Sequence, residues 1–289
     1  MSIFEEQLSR KPNLYPWTEQ FIESMHNGFW TDKEFSFQSD VQQYKTELTE
    51  QEQEIIARTL SAIGQIEVAV KTFWAKLGEN LPHPALQDLG YVMANTEVIH
   101  NNAYERLLSV LDMEDIFEEN LKLDFIDGRV KYLRKYTHKF YSDSKKQYLY
   151  ALTLFTLFVE NVSLFSQFYI INHFARFKNV LKDTDQQVKY TRNEENIHAL
   201  VGIKIINTIR EEHPELFDID FHYNKYLFDI AASHLVSFDV DYHGEGTPSY
   251  FGPQGTDDIT DVAPTSVTVS MTFQETTITT KEEIARGNR

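Results

Sequence analysis

The chain has 289 residues, 42% of them hydrophobic and 13% aromatic, enough for a full-sized core and too apolar for a disordered chain. It contains no cysteine, which excludes disulfides, zinc–thiolate sites, iron–sulfur clusters and thiol catalysis. With 44 acidic against 27 basic residues the net charge is -17, a surface that repels phosphates, so no nucleic-acid partner is expected. The opening MSIFEEQLSRK lacks the basic-then-apolar pattern of a leader, and the expected location is cytoplasmic.

Residues 1–45 read as loops and one or two short helices, with a capping-type start at Thr31-Asp32-Lys33-Glu34 just after Trp30. From Thr46 a Thr/Glu-rich signal opens a proline-free run with apolar residues at helical spacing, which predicts one long helix up to the break at Gly78–Pro84. A second helix follows through ALQDLGYVMANTEVIHNNAYERLLSVL, and a third helical region spans 114–142. Tyr148 to Ala175 then carries a single formal charge, Glu160, and as a helix would be about 42 Å long. A membrane span is one reading of it. Against that, Thr153, Thr156, Asn161, Ser163, Ser166, Gln167 and Asn172 interrupt the run, so it reads better as the core helix of a large bundle, with no membrane partner.

A polar break is expected at 181–187 (LKDTDQQ), then a helix that stops at His213-Pro214. The segment HYNKYLFDIAASHL is a further helix candidate. Beyond it Val236, Phe238, Val240 and Tyr242 alternate with period two, as do Val267, Val269, Met271 and Phe273, and this is a strand signature. The expected architecture is all-α, with a helical domain over 1–235 and a small β-rich extension over 236–289.

An acid in the middle of an apolar helix is costly unless it is neutralised, paired or bound to a cation, so Glu160 needs partners. Two Glu-x-x-His words supply them: Glu97-Val98-Ile99-His100 and Glu195-Asn196-Ile197-His198. Residues three apart share a helix face, so each word presents a carboxylate beside an imidazole. Glu67 is a fourth acid in an apolar stretch. The order is a twofold pseudo-repeat of Glu followed by Glu-x-x-His, which matches the ligand set of ferritin-like bundles that hold two metals. Oxygen and imidazole donors suit iron or manganese. The plain alternative is a set of buried acids in ion pairs. Glu23-x-x-His26 is a third such word, but it has no second half and reads as a surface pair.

These residues resemble the small, radical-generating subunit of class I ribonucleotide reductase over roughly residues 10–215. The resemblance rests on Glu67, on Glu97 and His100 with Tyr104 one turn on, on Phe158-Val159-Glu160-Asn161, on Arg192-Asn193-Glu194-Glu195-Asn196-Ile197-His198, and on Phe29-Trp30 before the long helices. It implies a ferritin-like bundle whose dinuclear centre is held by Glu67, Glu97, His100, Glu160, Glu195 and His198. It also implies a radical site, or its silent remnant, at Tyr104, and a relay through His100 or His198, Glu194 and Trp30. Glu194 stands where many relatives have Asp. Glu67 stands where many members also carry Asp, and Glu there is similar to the manganese-using subgroups. With Tyr104 retained, the best resemblance is to a dimanganese centre, ahead of manganese–iron or di-iron, in which the tyrosine stays unoxidised.

The implied activity is that of a ribonucleoside-diphosphate reductase small subunit, activated by dioxygen or superoxide and working as a homodimer with a large catalytic subunit. No separate organic cofactor site is implied. The last fifty residues depart from the family's docking tail, and Tyr242 and Tyr250 are the tyrosines there. Two alternatives share the metal site. A ligand-binding oxidase would use a cross-linking tyrosine about one turn before the third carboxylate, where this chain has Phe155 and Thr156. A metal-storage protein would need a cage-forming oligomer.

Overall fold

The computed structural model describes residues 2–138 and 145–217, together with the backbone of strands at 233–241, 250–251, 263–264 and 268–275. Two compact units divide the chain, Met1–Phe221 and His222–Arg289.

The first unit is helical: α1 (Trp17–Asn27), α2 (Gln38–Thr46), α3 (Glu50–Ala75), α4 (Leu77–Asn80), α5 (Pro84–Val110), α6 (Glu114–Asn120), α7 (Asp124–His138), α8 (Lys145–Thr153), α9 (Leu164–His173) and α10 (Lys182–Glu212). Long helix α3 starts with a capping box, in which the Thr49 side chain accepts from Glu52 N while Glu52 accepts from Thr49 N at 3.0 Å. Pro84 opens α5, where its missing N–H is no loss. The two pack closely. At Gly90 an added Cβ would stand 2.8 Å from the Trp74 carbonyl oxygen and 2.7 Å from Leu77 Cβ, so a side chain there would force the helices apart. Ile56, Leu60, Ile63 and Val70 of α3 and Leu86, Leu89, Met93 and Leu107 of α5 are buried at helical spacing.

The apolar run is one continuous helix over 145–178, interrupted by two π stretches, Leu154–Ser163 and Phe174–Lys178. By length and composition it could cross a membrane, yet most of its apolar window is buried within the bundle. In a π stretch each carbonyl bonds five residues on, which shifts the phase of the side chains. This departure from a plain α-helix has no signature in the apolar run. The stretch faces α10 at Gly202, where an added Cβ would lie only 2.0 Å from Thr156 Oγ1.

Three boundaries differ from expectation. The polar break is shorter than 181–187, because α10 already begins at Lys182 after Asn179 and Leu181 turn the chain in left-handed conformation. Asp40 stabilises that start by accepting from Thr184 N and Thr184 Oγ1, each at 2.7 Å, so polar LKDTDQQ serves as a helix N-terminus instead of a break. The third helical region is two helices, α6 and α7, and its end at 139–142 lies outside the described residues. Of the helix candidate HYNKYLFDIAASHL, residues 222–232 also lie outside them, while its last three residues begin a strand.

In the second unit β1 (Ser233–Asp241) pairs antiparallel with β4 (Thr268–Glu275), with a register irregularity between Leu235 and Ser237. Strands β2 (Tyr250–Phe251) and β3 (Ala263–Pro264) form a second antiparallel pair. Period-two alternation accounts for β1 and β4.

Candidate metal centre

Four helical segments converge on one buried cluster. Glu67 comes from α3, Glu97 and His100 from α5, Glu160 from the first π stretch, and Glu195 and His198 from α10. All six are 0% exposed. They form two groups able to hold an ion, Glu67, Glu97, His100 and Glu195 in one and Glu97, Glu160, Glu195 and His198 in the other, with ligand atoms within 4.8 Å in each. Glu97 and Glu195 belong to both groups, whereas Glu67 and Glu160 each belong to one. The third Glu-x-x-His word, Glu23 and His26, lies exposed on α1.

The imidazoles turn the same atom inward. His100 Nδ1 is 3.0 Å from Glu97 Oε2, 3.1 Å from Glu195 Oε1 and 3.5 Å from Glu67 Oε2. His198 Nδ1 is 2.8 Å from Glu97 Oε1 and 3.0 Å from Glu195 Oε2. Their outer nitrogens are both donors. Thr96 Oγ1 spends its proton on the Met93 carbonyl at 2.7 Å, so at 2.9 Å from His198 Nε2 it accepts. Glu194 Oε2 accepts from His100 Nε2 at 2.7 Å. Fixing the outer proton in this way orients the inner nitrogen toward the carboxylates, as outer partners of metal-bound histidines do.

Several carboxylate oxygens here have no hydrogen-bond partner: both of Glu67, Oε1 of Glu97, Oε2 of Glu160 and Oε1 of Glu195. Glu67 Oε2, Glu97 Oε1 and Glu195 Oε1 among them lie at ion-pairing distance from an imidazole but outside hydrogen-bond geometry. Buried acceptors without donors are unfavourable unless a cation supplies the missing interaction. Four carboxylates balance two divalent ions if both imidazoles are neutral, so this donor set fits a pair of hard or borderline metals.

Among the protein's own groups the charges separate. Burial pushes Glu67 and Glu160 well above the usual carboxylate range, against the attraction of His100 in the first case. Glu97 and Glu195 are held low despite burial, because His198 and His100 lie beside them. Burial opposes protonation of the imidazoles, but neighbouring carboxylates outweigh it; His198 is pushed up to about 10 and His100 is likewise raised.

Trp30 Nε1 donates to Glu194 Oε2 at 2.7 Å, the oxygen that also receives His100 Nε2–H. The rings of Trp30 and His100 stack at 6.1 Å with 29° between planes. Trp30 is 2% exposed, while Phe29 beside it is 60% exposed. Arg106 on α5 pins this loop by donating to the Asp32 and Phe35 carbonyls at 2.6 and 2.9 Å. Tyr104 is fully buried one turn after His100, and burial together with Glu67 raises its hydroxyl above the ordinary range. Its partner is Thr191 Oγ1 at 3.3 Å. Three contributors were not singled out from sequence. Thr96 and Thr191 are ordinary helix residues there, but Trp74, whose Nε1 donates to Glu160 Oε1 at 2.8 Å, follows Glu67 by seven residues. Two helical turns place the pair on one face, and that spacing was the available signal.

The family profile described as "Ribonucleotide reductase, small chain" matches residues 9–230. The chain belongs to the ribonucleotide reductase small-chain family. Among curated relatives, the ribonucleoside-diphosphate reductase subunit beta of Halalkalibacterium halodurans is 24% identical over 206 residues, covering 70% of this chain and 59% of the relative. This small-chain member therefore spans about three-fifths of that relative's length. Its fold is similar to Streptococcus sanguinis dimanganese(II)-NrdF (TM-score 0.65, 13% identity, 78% of each chain). It is also similar to an R2-like ligand-binding oxidase reconstituted with a manganese/iron cofactor (TM-score 0.60, 17% identity, 76% of this chain and 82% of that one). At these identities the structural likeness speaks to the ferritin-like bundle alone.

Proposed function

We propose that this small-chain family member is the oxidant-generating subunit of a ribonucleoside-diphosphate reductase, with Glu67, Glu97, His100, Glu160, Glu195 and His198 as the ligands of a dinuclear centre. The observation that carries the reading is the pair of four-residue groups sharing Glu97 and Glu195, joined to Trp30 through His100 and Glu194. Two redox-active metal ions in this cluster supply one-electron oxidising power after reaction with dioxygen or superoxide.

The protein's own groups do the rest. Glu97 and Glu195 face both imidazoles and would contribute to both cation positions, while Glu67 and Glu160 would each contribute to one. Glu194 holds the Nε2 proton of His100 and the Nε1 proton of Trp30 on one oxygen. When the Trp30 indole gives up an electron its N–H becomes acidic, and Glu194 Oε2 stands in place to take that proton. This favours His100 over His198 as the relay, since the outer nitrogen of His198 ends on Thr96. Exposed Phe29 marks where the route nears the surface, the side offered to a large catalytic subunit. The reduction of a ribonucleotide belongs to that partner, and the working form is a homodimer in the cytoplasm.

Glu67 supports manganese, as a dimanganese or manganese–iron centre, over di-iron. Tyr104 reads as a silent remnant: its hydroxyl meets a threonine, and Thr191 Oγ1 in turn donates to the Gln187 carbonyl, so no base stands in hydrogen-bond contact to accept its proton. The division into a helical domain and an appended β unit is part of the same reading, with its bound moved from 235/236 to before Ser233, where β1 begins. The ligand-binding oxidase is the second reading, favoured by fold likeness and disfavoured by Phe155 and Thr156.

The test is metal loading followed by turnover. The wild-type chain should bind two equivalents of Mn(II) and support deoxyribonucleotide formation only with the large subunit added, and Glu160→Ala should bind fewer than two. Tight binding of two equivalents by Glu160→Ala would show the ligand set to be misassigned.

A further inference from the structure

The two ends of the cluster are not alike. Neither oxygen of Glu67 has a hydrogen-bond donor, whereas Glu160 Oε1 receives the indole N–H of Trp74 and only its Oε2 is bare. Trp74 is 0% exposed, and its ring lies 6.3 Å from that of His198, tilted by 54°. It is held on two sides, by Gly90 and by Phe73, and Phe73 is held in turn. The Trp74 carbonyl rests against the backbone of Gly90, its own ring meets Phe73 edge-on at 5.0 Å, and Phe73 stacks flat on Phe155 at 4.1 Å and 6°. Phe155 belongs to the same π stretch as Glu160, so α3 grips that stretch through both aromatic side chains.

Resting on the dinuclear reading, we propose that Trp74 is a positioning residue that clamps Glu160 by one oxygen and so makes the two cation positions unequal. An N–H bond to Oε1 fixes the carboxylate plane, aims Oε2 into the cluster and draws electron density from the group. Glu67, whose one close partner among the described residues is His100 Nδ1 at 3.5 Å from Oε2 and outside hydrogen-bond geometry, is the stronger and more adaptable ligand. The Glu67–His100 position therefore fills first, and the Glu160–His198 position fills second and depends on the indole.

The experiment is a titration of Mn(II) into the chelator-treated full chain, with free Mn(II) read by electron paramagnetic resonance. Wild type should show two steps, the second weaker. Trp74→Phe keeps most of the apolar volume and should weaken the second step 10- to 100-fold, the range typical of losing an outer partner of a ligand. Its first step should stay within about twofold of wild type. A second measurement reads the contact itself: in Trp30→Phe, the larger part of the Mn(II) quenching of indole emission should arrive with the second equivalent. Equal weakening of both steps, an unaltered second step, or quenching complete at the first equivalent would each overturn the proposal. If Trp74→Phe does not fold, the quenching order decides alone. Fewer than two equivalents bound by wild type would overturn the dinuclear reading and this proposal together. Two equivalents in wild type with no change in Trp74→Phe would overturn this proposal only.

Discussion

Loading the centre with two divalent cations should expel protons, and the groups that lose them follow from the arrangement of the six side chains. Near neutral pH Glu97 and Glu195 are ionised, held low by the imidazoles, and give up nothing. Burial favours the protonated forms of Glu67 and Glu160, and the neighbouring carboxylates favour a second proton on each imidazole. A cation needs bare Nδ1 atoms and ionised carboxylates, while the Nε2 protons stay on the imidazoles, donated to Glu194 and Thr96. Loading should therefore release protons from the raised carboxyls and from the imidazoles, with at least one coming from His198. Calorimetry of Mn(II) binding at pH 7 in two buffers of different ionisation enthalpy measures this release, and affinity for the pair should climb steeply with pH. The same groups set the stability of the chelated protein. His198 has its folded-state value raised to about 10, so its contribution is fully present below the unfolded value near 6.5 and lost as pH rises through about 10. That contribution is on the order of several kcal/mol, so the chelated protein should melt lower at pH 10 than at pH 7 while the loaded one is spared this loss. Release of fewer than one proton on loading would refute the charge pattern.

Trp30→Phe should leave Mn(II) stoichiometry intact, since indole is not a ligand, and should stop turnover with the large subunit by removing an oxidisable ring; retained turnover would place the route elsewhere. Gly202→Ala should lower stability by about 1–3 kcal/mol in urea unfolding, because its Cβ would meet Thr156 Oγ1 at 2.0 Å, and unchanged stability would contradict the close approach. Deleting residues 236–289 should leave metal binding unaltered, as all six candidate ligands precede that segment, and pull-down with the large subunit then reports whether the segment docks. Iron as sole metal should support less turnover than manganese, and a strong tyrosyl radical signal abolished by Tyr104→Phe would oppose both the Glu67 argument and the silence of Tyr104.

Much of the centre is legible in the sequence because buried charge is rare enough to be conspicuous. Glu160 stands in an otherwise uncharged run, and the repeat of Glu and Glu-x-x-His names its companions before any coordinates. Helical spacing likewise places Tyr104 beside His100. What spacing cannot supply is rotation and partner choice. Nothing in LFTLFVENVS distinguishes a π stretch from an α-helix, since the difference lies in which carbonyl each N–H meets. Nor does a lone Trp reveal its acceptor: resemblance points to Trp30, whereas spacing puts Trp74 only on the face of Glu67, although it bonds Glu160 directly. The polar run LKDTDQQ misled for a related reason, because residues that favour breaks also favour helix starts, and Asp40, distant in sequence, decides between them.

The π stretch carrying Glu160 makes the number of residues, and not only their identity, a determinant of the centre. Each residue of an α-helix turns its successor by roughly 100°. A turn closed by i→i+5 bonds holds more residues than an α turn, so removing one residue between Leu154 and Val159 would let the tract return to an ordinary helix with Glu160 near its present phase, whereas inserting one there would swing Glu160 against its neighbours Glu195 and His198 or drag α8 along with it. Substitutions on the outward side, where Leu157 and Val162 meet solvent, leave that phase untouched. Over these ten residues the protein should accept many changes of letter, and a one-residue loss more readily than a one-residue gain.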